Sequence, residues 1–224
     1  MRPERDLLVT GAGYPTAIFV SGAGTNLQAV LEHVRAGTLP LDVRLVVSNR
    51  PDARALERAR DAGVPTLVMP FSPRVDSRGT YARELAGVVK GSGARLVLLL
   101  GWMHVLAREF LDAGFEGVLN LHPSYLPDDP RADTVALPDG TVSAVYRGAH
   151  ALRDALEAGA RTTGATLIEI TPDVDRGPVL ARRLMELQPG DSVESALARL
   201  HVVEREVVRE GVLCWLRVNA AKHA

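Results

Sequence analysis

Ala17-Ile18-Phe19-Val20-Ser21-Gly22-Ala23-Gly24-Thr25-Asn26 sets the fold class of this chain. Four apolar residues in a row read as a buried strand. The glycine turn leads directly into Asn26–Arg35, which reads as a helix with Leu27, Val30 and Leu31 on one face and Gly37 past its end. Glycines between a strand and a helix let a ligand approach the backbone, and a helix N-terminus offers N–H groups to an anion. Ser21 to Asn26 therefore reads as a phosphate cradle. It is not a dinucleotide fingerprint, because Leu27 holds the place of the third glycine, and no Lys-Ser/Thr pair follows to make a Walker loop. A plain glycine turn with Asn26 as helix cap fits the same residues, and at this point both readings stand.

Working outward, strands and helices keep alternating. Val43–Val47 and Thr66–Met69 read as strands, Ala53–Ala62 and Ser77–Lys90 as helices, and Arg95–Leu100 is the most hydrophobic strand. A short helix over Val105–Ala113 precedes an apolar run, Gly117-Val118-Leu119. This alternation predicts an α/β fold with a single doubly wound, mostly parallel sheet and right-handed crossovers. Further on, Asp128–Gly140 is rich in Pro, Asp and Gly and reads as loop, and Ala149–Ala158 returns to helix. Ala165–Ile170 and Val179–Met185 flank a turn short enough for an antiparallel pair, and Val193–Leu216 is a long amphipathic C-terminal helix.

Composition supports this class. The 224 residues are 46% hydrophobic but only 4% aromatic, so the core must be built from Val, Leu and Ala. Lys+Arg at 26 against Asp+Glu at 27 leaves a net charge of -1, without the basic surplus of a nucleic-acid binder. No apolar run reaches the roughly 18 residues of a membrane span. Met1–Asp6 carries mixed charge and Leu7-Leu8-Val9 is too short for a signal core, so a cytoplasmic location is expected. Gly11-Ala12-Gly13 reads as N-terminal loop. The single cysteine, Cys214, lies in an apolar run and reads as core. No repeat or low-complexity linker divides the chain, which reads as one domain.

Chemistry concentrates at Leu119-Asn120-Leu121-His122-Pro123-Ser124. Side chains alternate along a strand, so Asn120 and His122 share one face, roughly 6–7 Å apart. An amide beside an imidazole at a strand end suits acyl-type chemistry, one group polarising a carbonyl while the other handles a proton or an oxyanion. Taken alone, this stretch also fits a turn with an asparagine and a partly buried histidine. Asp173-Val174-Asp175-Arg176-Gly177-Pro178 is a tight acidic turn. If it covers His122, Asp175 pairs with the imidazole and favours its charged form. Arg78, His104, His201 and Glu204, taken singly, read as solvated or hydrogen-bonded groups. The histidines form no close metal-ligand cluster, so no metal site is expected, and no Gly-x-Ser-x-Gly elbow marks a serine hydrolase.

In combination these residues resemble the folate-dependent formyltransferases, and among them the enzymes that act on glycinamide ribonucleotide. Ile18 to Gln28, then Val47-Ser48-Asn49-Arg50 with Leu56-Glu57-Arg58-Ala59, Gly101-Trp102-Met103, Asn120 to Pro127 and Val174 to Val179 occur in family order across nearly the whole chain. The resemblance implies a Rossmann-like fold and formyl transfer from 10-formyltetrahydrofolate to the amine of glycinamide ribonucleotide, a step of purine synthesis. It implies Asn120, His122 and Asp175 as the catalytic trio, Gly22, Ala23, Gly24, Thr25 and Asn26 as the substrate-phosphate loop, and Glu204 as a ribose contact. On the cofactor side it implies Arg78, Asn120 and the segment Met103, His104, Val105 and Leu106, which holds the pterin by its backbone.

Two residues depart from the family pattern, His104 where Arg is frequent and Thr163 where His is frequent. An extra segment, Asp128–Val145, separates Pro127 from Tyr146-Arg147-Gly148-Ala149-His150. It reads as a surface flap, with Asp139-Gly140 closing a hairpin between Val135 and Val142. The expected organisation is an N-terminal extension over 1–16, a formyltransferase domain over 17–217 that carries the 128–145 insertion, and a tail over 218–224. The resemblance implies small-molecule partners, no nucleic acid, no membrane, and a monomer or homodimer. Sugar-nucleotide N-formyltransferases and formyltetrahydrofolate deformylases share the trio and are the competing readings, as is a non-catalytic binding module.

Overall fold

The computed structural model of the chain describes residues 13–74 and 76–222. These fall into two compact units. One runs to Trp102 and includes Leu106–Glu116; the other takes Met103–Val105 and everything from Gly117 onward.

The first unit contains β1 (Tyr14–Val20), α1 (Thr25–Arg35), β2 (Leu41–Ser48), α2 (Arg54–Asp61), β3 (Thr66–Val68), α3 (Arg78–Gly91), β4 (Leu96–Leu99) and α4 (Arg108–Leu111). Its strands lie in the order β3-β2-β1-β4, all parallel. A helix separates each strand from the next in sequence, and parallel neighbours require such crossovers. β4 is buried at every position and β1 from Thr16 onward, as strands covered on both faces must be. Helix α1 packs beside α2, and α3 beside α4.

Strand β1 starts earlier than expected, at Tyr14, and includes Pro15. Proline brings no N–H to a ladder, and the register with β2 shifts just beyond it, between Thr16 and Ala17. Gly13 leads in because a Cβ there would lie 2.3 Å from the Leu41 carbonyl carbon. Gly11 and Ala12 of the expected N-terminal loop lie outside the described residues. The expected helix over Val105–Ala113 shrinks to the four residues of α4. Phe110 is its one buried side chain, and Ala107 before it is extended at ψ 159°. A single anchoring ring stabilises about one turn, too little to draw Val105–Ala107 into the helix.

The second unit contains β5 (Gly117–His122), β6 (Thr134–Ala136), β7 (Val142–Ala144), α5 (Ala151–Glu157), β8 (Thr162–Glu169), β9 (Val179–Glu186) and α6 (Val193–Lys222). Strands β5-β8-β9 pair antiparallel, so the expected C-terminal strand pair is present. Strands β6 and β7 form a separate hairpin around Asp139-Gly140, as expected for the insertion, within a stretch that composition marked as loop. Helix α6 lies across β8 and β9 and runs past the expected end at Leu216 to Lys222. Its close approach relies on two glycines. A Cβ on Gly211 would meet Leu167 Cδ2 at 2.6 Å, and one on Gly117 would meet the Trp215 ring at 2.4 Å.

Candidate active site

Strand alternation puts Asn120 and His122 on one face of β5, opposite Ile168 and Thr166 of β8. His122 is only 3% exposed. Beyond β8 the chain turns back into β9 through residues 170–178, where Glu169 N donates to Pro178 O at 3.0 Å. Gly177 makes the turn possible, because a Cβ there would lie 1.6 Å from the Glu169 carbonyl oxygen. The tightness falls on Asp175, which has φ 53°, the only non-glycine among the described residues with positive φ. Such a conformation costs about 1–3 kcal/mol and persists only where its surroundings hold it.

Those surroundings are the site. Asp175 Oδ2 lies 3.4 Å from His122 Nδ1, and Oδ1 accepts from Asn120 Nδ2 at 3.4 Å. Gly148 N donates to Oδ2 at 2.8 Å. The other ring nitrogen, His122 Nε2, lies 2.9 Å from the carbonyl oxygen of Tyr146. Both imidazole nitrogens thus face acceptors. A neutral ring has one N–H and must turn a lone pair toward one of them, whereas the imidazolium satisfies both. Burial acts the other way and wins: it pushes the His122 imidazolium below the usual histidine range, against the Asp175 carboxylate and the Tyr146 carbonyl, with the Arg147 cation adding to the depression.

The trio expected from sequence is therefore brought together, with Asp175 against His122. The supporting groups Tyr146 O and Gly148 N were missed, being backbone atoms that every residue carries. Arg147 between them was missed as well. Its Nε donates to Asp175 O at 3.4 Å, and its only sequence signal is its place at the exit of the insertion.

The glycine loop belongs to the first unit. Gly24, not Asn26, is the N-cap of α1, with φ 71°, and no side chain caps the helix or places an acid in its first turn. The reading of Asn26 as cap is thereby corrected; its side chain is buried in the helix instead. Ala55 N donates to Gly22 O at 3.1 Å and Arg58 Nε to Ala23 O at 2.9 Å, so α2 fixes the loop from behind. A Cβ on Gly24 would lie 2.5 Å from Ala55 Cβ, whereas Gly22 has open space around it. Ala23 is exposed and Thr25 half-buried. An uncapped N-terminus of this kind favours an anion.

Arg78 opens α3, exposed, with its guanidinium 5.5 Å from the Phe71 ring centre. Met103 and Val105 are exposed apolar side chains on irregular backbone, with His104 and Leu106 half-buried beside them. Glu204 is buried on α6, 3.9 Å from His201 Nε2. Among the described residues no group of His, Cys, Asp and Glu could hold a metal ion, and no helix is long and apolar enough to cross a membrane.

The family model described as Formyl transferase matches residues 15–212. Phosphoribosylglycinamide formyltransferase of Escherichia coli (strain K12) is 33% identical over 190 residues, 85% of this chain and 81% of the relative. The trifunctional purine biosynthetic protein adenosine-3 of Drosophila melanogaster is 33% identical over 84% of this chain, which spans only 13% of that longer protein. The solved structure of glycinamide ribonucleotide transformylase 1 from Symbiobacterium toebii superposes with a TM-score of 0.78 at 35% identity, covering 91% of this chain and 87% of the other. That likeness covers residues of both units, so the expected α/β fold, mostly parallel with an antiparallel C-terminal pair and a long final helix, is the fold of the chain.

Proposed function

The chain belongs to the formyl transferase family, and from that premise we propose that it transfers a formyl group from 10-formyltetrahydrofolate to the amine of glycinamide ribonucleotide, in purine biosynthesis. The observation that carries this reading is the buried cluster in which Asp175 meets both His122 and Asn120. The names of the E. coli and S. toebii relatives supply the acceptor.

The trio supplies the chemistry. The reaction needs charge stabilised on the formyl oxygen as the amine nitrogen attacks the formyl carbon, and then a proton removed from that nitrogen. Asn120 donates an amide N–H to the developing oxyanion. His122, as imidazolium held between Asp175 and the Tyr146 carbonyl, stabilises it by its charge, and the forming negative charge offsets the burial that holds the imidazolium down. Asp175 fixes the ring through Nδ1 and relays the amine proton through solvent to the departing folate nitrogen. No step calls for a metal.

Substrate and cosubstrate roles follow the same reading. Gly22, Ala23, Gly24, Thr25 and Asn26 take the phosphate at the uncapped start of α1. The buried Glu204 carboxylate accepts from ribose hydroxyls. Met103 to Leu106 receive the pterin along irregular backbone, with Arg78 on the same cosubstrate. Residues 17–217 act as one formyltransferase domain carrying the 128–145 insertion, between an extension over 1–16 and a tail over 218–224. The protein acts in the cytoplasm as a monomer or homodimer, on small molecules alone.

The test is an acceptor screen with purified protein, following loss of formyl from 10-formyltetrahydrofolate. Glycinamide ribonucleotide should support turnover while amino-sugar nucleotides and water do not. Turnover with either of the latter, and none with the ribonucleotide, overturns the reading. His122→Ala and Asp175→Asn should each lower kcat by about 10²–10³ with the fold intact; near-normal turnover in either removes the trio from the mechanism.

A further inference from the structure

The segment Tyr146-Arg147-Gly148 leaves the insertion and touches the trio with three consecutive residues. Tyr146 O faces His122 Nε2 at 2.9 Å, Arg147 Nε donates to Asp175 O at 3.4 Å, and Gly148 N donates to Asp175 Oδ2 at 2.8 Å. What fixes the segment lies in the insertion. Arg147 Nη2 donates to Ala132 O at 2.7 Å and Nη1 to Asp133 Oδ1 at 3.1 Å. The Arg147 side chain is 14% exposed, so its planar fork is held at three points in a mostly dry setting. On the other flank of Asp175, Arg176 Nη1 donates to Pro130 O at 2.5 Å and Nη2 to the same Asp133 oxygen at 3.3 Å. One inserted carboxylate thus joins the two arginines that bracket the strained Asp175.

We propose that Arg147 is a positioning residue for the His122–Asp175 pair, and that the 128–145 insertion, through Ala132 and Asp133, is the part of the fold that holds it. This rests on the reading of Asn120, His122 and Asp175 as the catalytic trio. Three features of the geometry support it. First, Asp175 has a positive-φ backbone that side-chain-bearing residues seldom adopt, and Arg147 is the side chain that grips its carbonyl. Second, both contacts that fix the His122 ring run through this stretch of chain, directly at Tyr146 and by way of Asp175 at Gly148. Third, the Asp133 side chain is 79% exposed and adds little stability as a surface ion pair, so a role in alignment fits it better than a role in folding.

Arg147→Lys, Arg147→Gln, Asp133→Asn and, as reference, His122→Ala are compared in the full chain. The readouts are kcat, both KM values, the melting temperature, and the His122 pKa by NMR of labelled histidine. Arg147→Lys keeps the charge but not the fork. It should lower kcat about tenfold and leave both KM values within about twofold and the melting temperature unchanged. Arg147→Gln should lower kcat at least as far and move the His122 pKa down, because Asp175 drifts from Nδ1; loss of the nearby cation alone would move it up. Asp133→Asn should give a smaller kcat loss, since Ala132 O still holds the guanidinium.

Wild-type kcat in both Arg147 variants overturns the proposal, as does an upward His122 pKa with unchanged kcat. If the Arg147 variants fail to fold, Asp133→Asn decides: unchanged kcat with unchanged His122 pKa overturns the proposal. An inert His122→Ala beside normal Arg147 variants overturns this inference alone. A fully active His122→Ala overturns the trio reading and this inference with it.

Discussion

His122 Nε2 lies 2.9 Å from the carbonyl oxygen of Tyr146, with Nδ1 turned to Asp175. The ring is therefore held between two acceptors inside a buried site, and its protonation is a contest between burial and those acceptors. Burial is the largest cause, so the folded pKa lies below the unfolded value of about 6.5. The sign follows from linkage. The unfolded chain takes up the proton first as pH falls, so His122 costs the fold stability below about pH 6.5, and the cost levels off below the folded pKa. Denaturant titrations from about pH 7.5 to pH 5 should show wild type losing stability relative to His122→Gln on acidification, with a constant gap above pH 7. A gap that moves the other way would mean that Asp175 and Tyr146 outweigh burial. In Asp175→Asn the opposing charge is gone, and NMR should place the His122 pKa lower still.

The glycine loop makes a second prediction, which separates two glycines that look alike in sequence. Gly24 needs φ 71° and stands against Ala55, so Gly24→Val damages the fold and raises both KM values with a lower melting temperature. Gly22 meets nothing within 4 Å. Gly22→Val should therefore leave stability intact and raise KM for the ribonucleotide selectively, because its branched side chain obstructs an anion at the start of α1. Equal KM values in Gly22→Val and wild type would leave the loop a structural turn only.

Much of this was legible in the chain. The alternation of Asn120 and His122 against Leu119 and Leu121 places both functional groups on one face of β5, and the short Pro172–Pro178 turn requires β8 and β9 to be antiparallel. Gly177 in that turn is a visible sign that the backbone passes close to something, here the Glu169 carbonyl. The support around the trio was not legible, because Tyr146 O and Gly148 N act through peptide atoms that no side-chain pattern encodes. The positive φ of Asp175 was hidden for a related reason: its carboxylate is held by His122, Asn120 and Gly148 and its carbonyl by Arg147, all of them far away in sequence. Helix α4 was over-read because Leu106 and Phe110 stand four residues apart, as on one helix face, while of the two only Phe110 finds a buried seat. Asn26 looked like a cap by residue type, yet the sharper need for positive φ gave that place to Gly24.

Thr163 offers a stability prediction. It lies in β8 opposite Met185, is 3% exposed, and its hydroxyl is buried without a hydrogen-bond partner. An unsatisfied buried polar group costs about 1–3 kcal/mol, and valine has nearly the same shape with a better fit to a strand. Thr163→Val should raise unfolding stability by about 1 kcal/mol, read as a higher denaturant midpoint at unchanged slope. Both KM values should hold. A selective rise in KM for the folate would instead make this hydroxyl a cosubstrate contact.

The hairpin of the insertion permits a cut that separates its tip from its base. Strands β6 and β7 pair Val135 with Ser143 and Ala136 with Val142. Val145 N bonds Asp133 O, and Leu137 N bonds Thr141 O, so alternate pairs carry the hydrogen bonds and Val135–Ser143 is one of them. A two-residue type I′ turn closes on a pair of that kind, so Asn-Gly in place of residues 136–142 joins the strands without changing their register. The tip has little to lose: Val142 is 68% exposed and Ala136 is exposed, whereas Val135, which stays, is 6% exposed. The base keeps Pro130, Ala132 and Asp133 on Arg176 and Arg147, and Asp128 on Arg182 at 2.7 Å. Shortening the tip should leave kcat, both KM values and the melting temperature close to wild type. Replacing all of 128–145 with a short Gly-Ser link removes the partners of three arginines and the buried Val135, so both kcat and the melting temperature should fall. Loss of substrate affinity on shortening the tip alone would show that the tip itself acts as a lid. Full activity after removal of the whole segment would show that Tyr146 to Gly148 hold the trio without it.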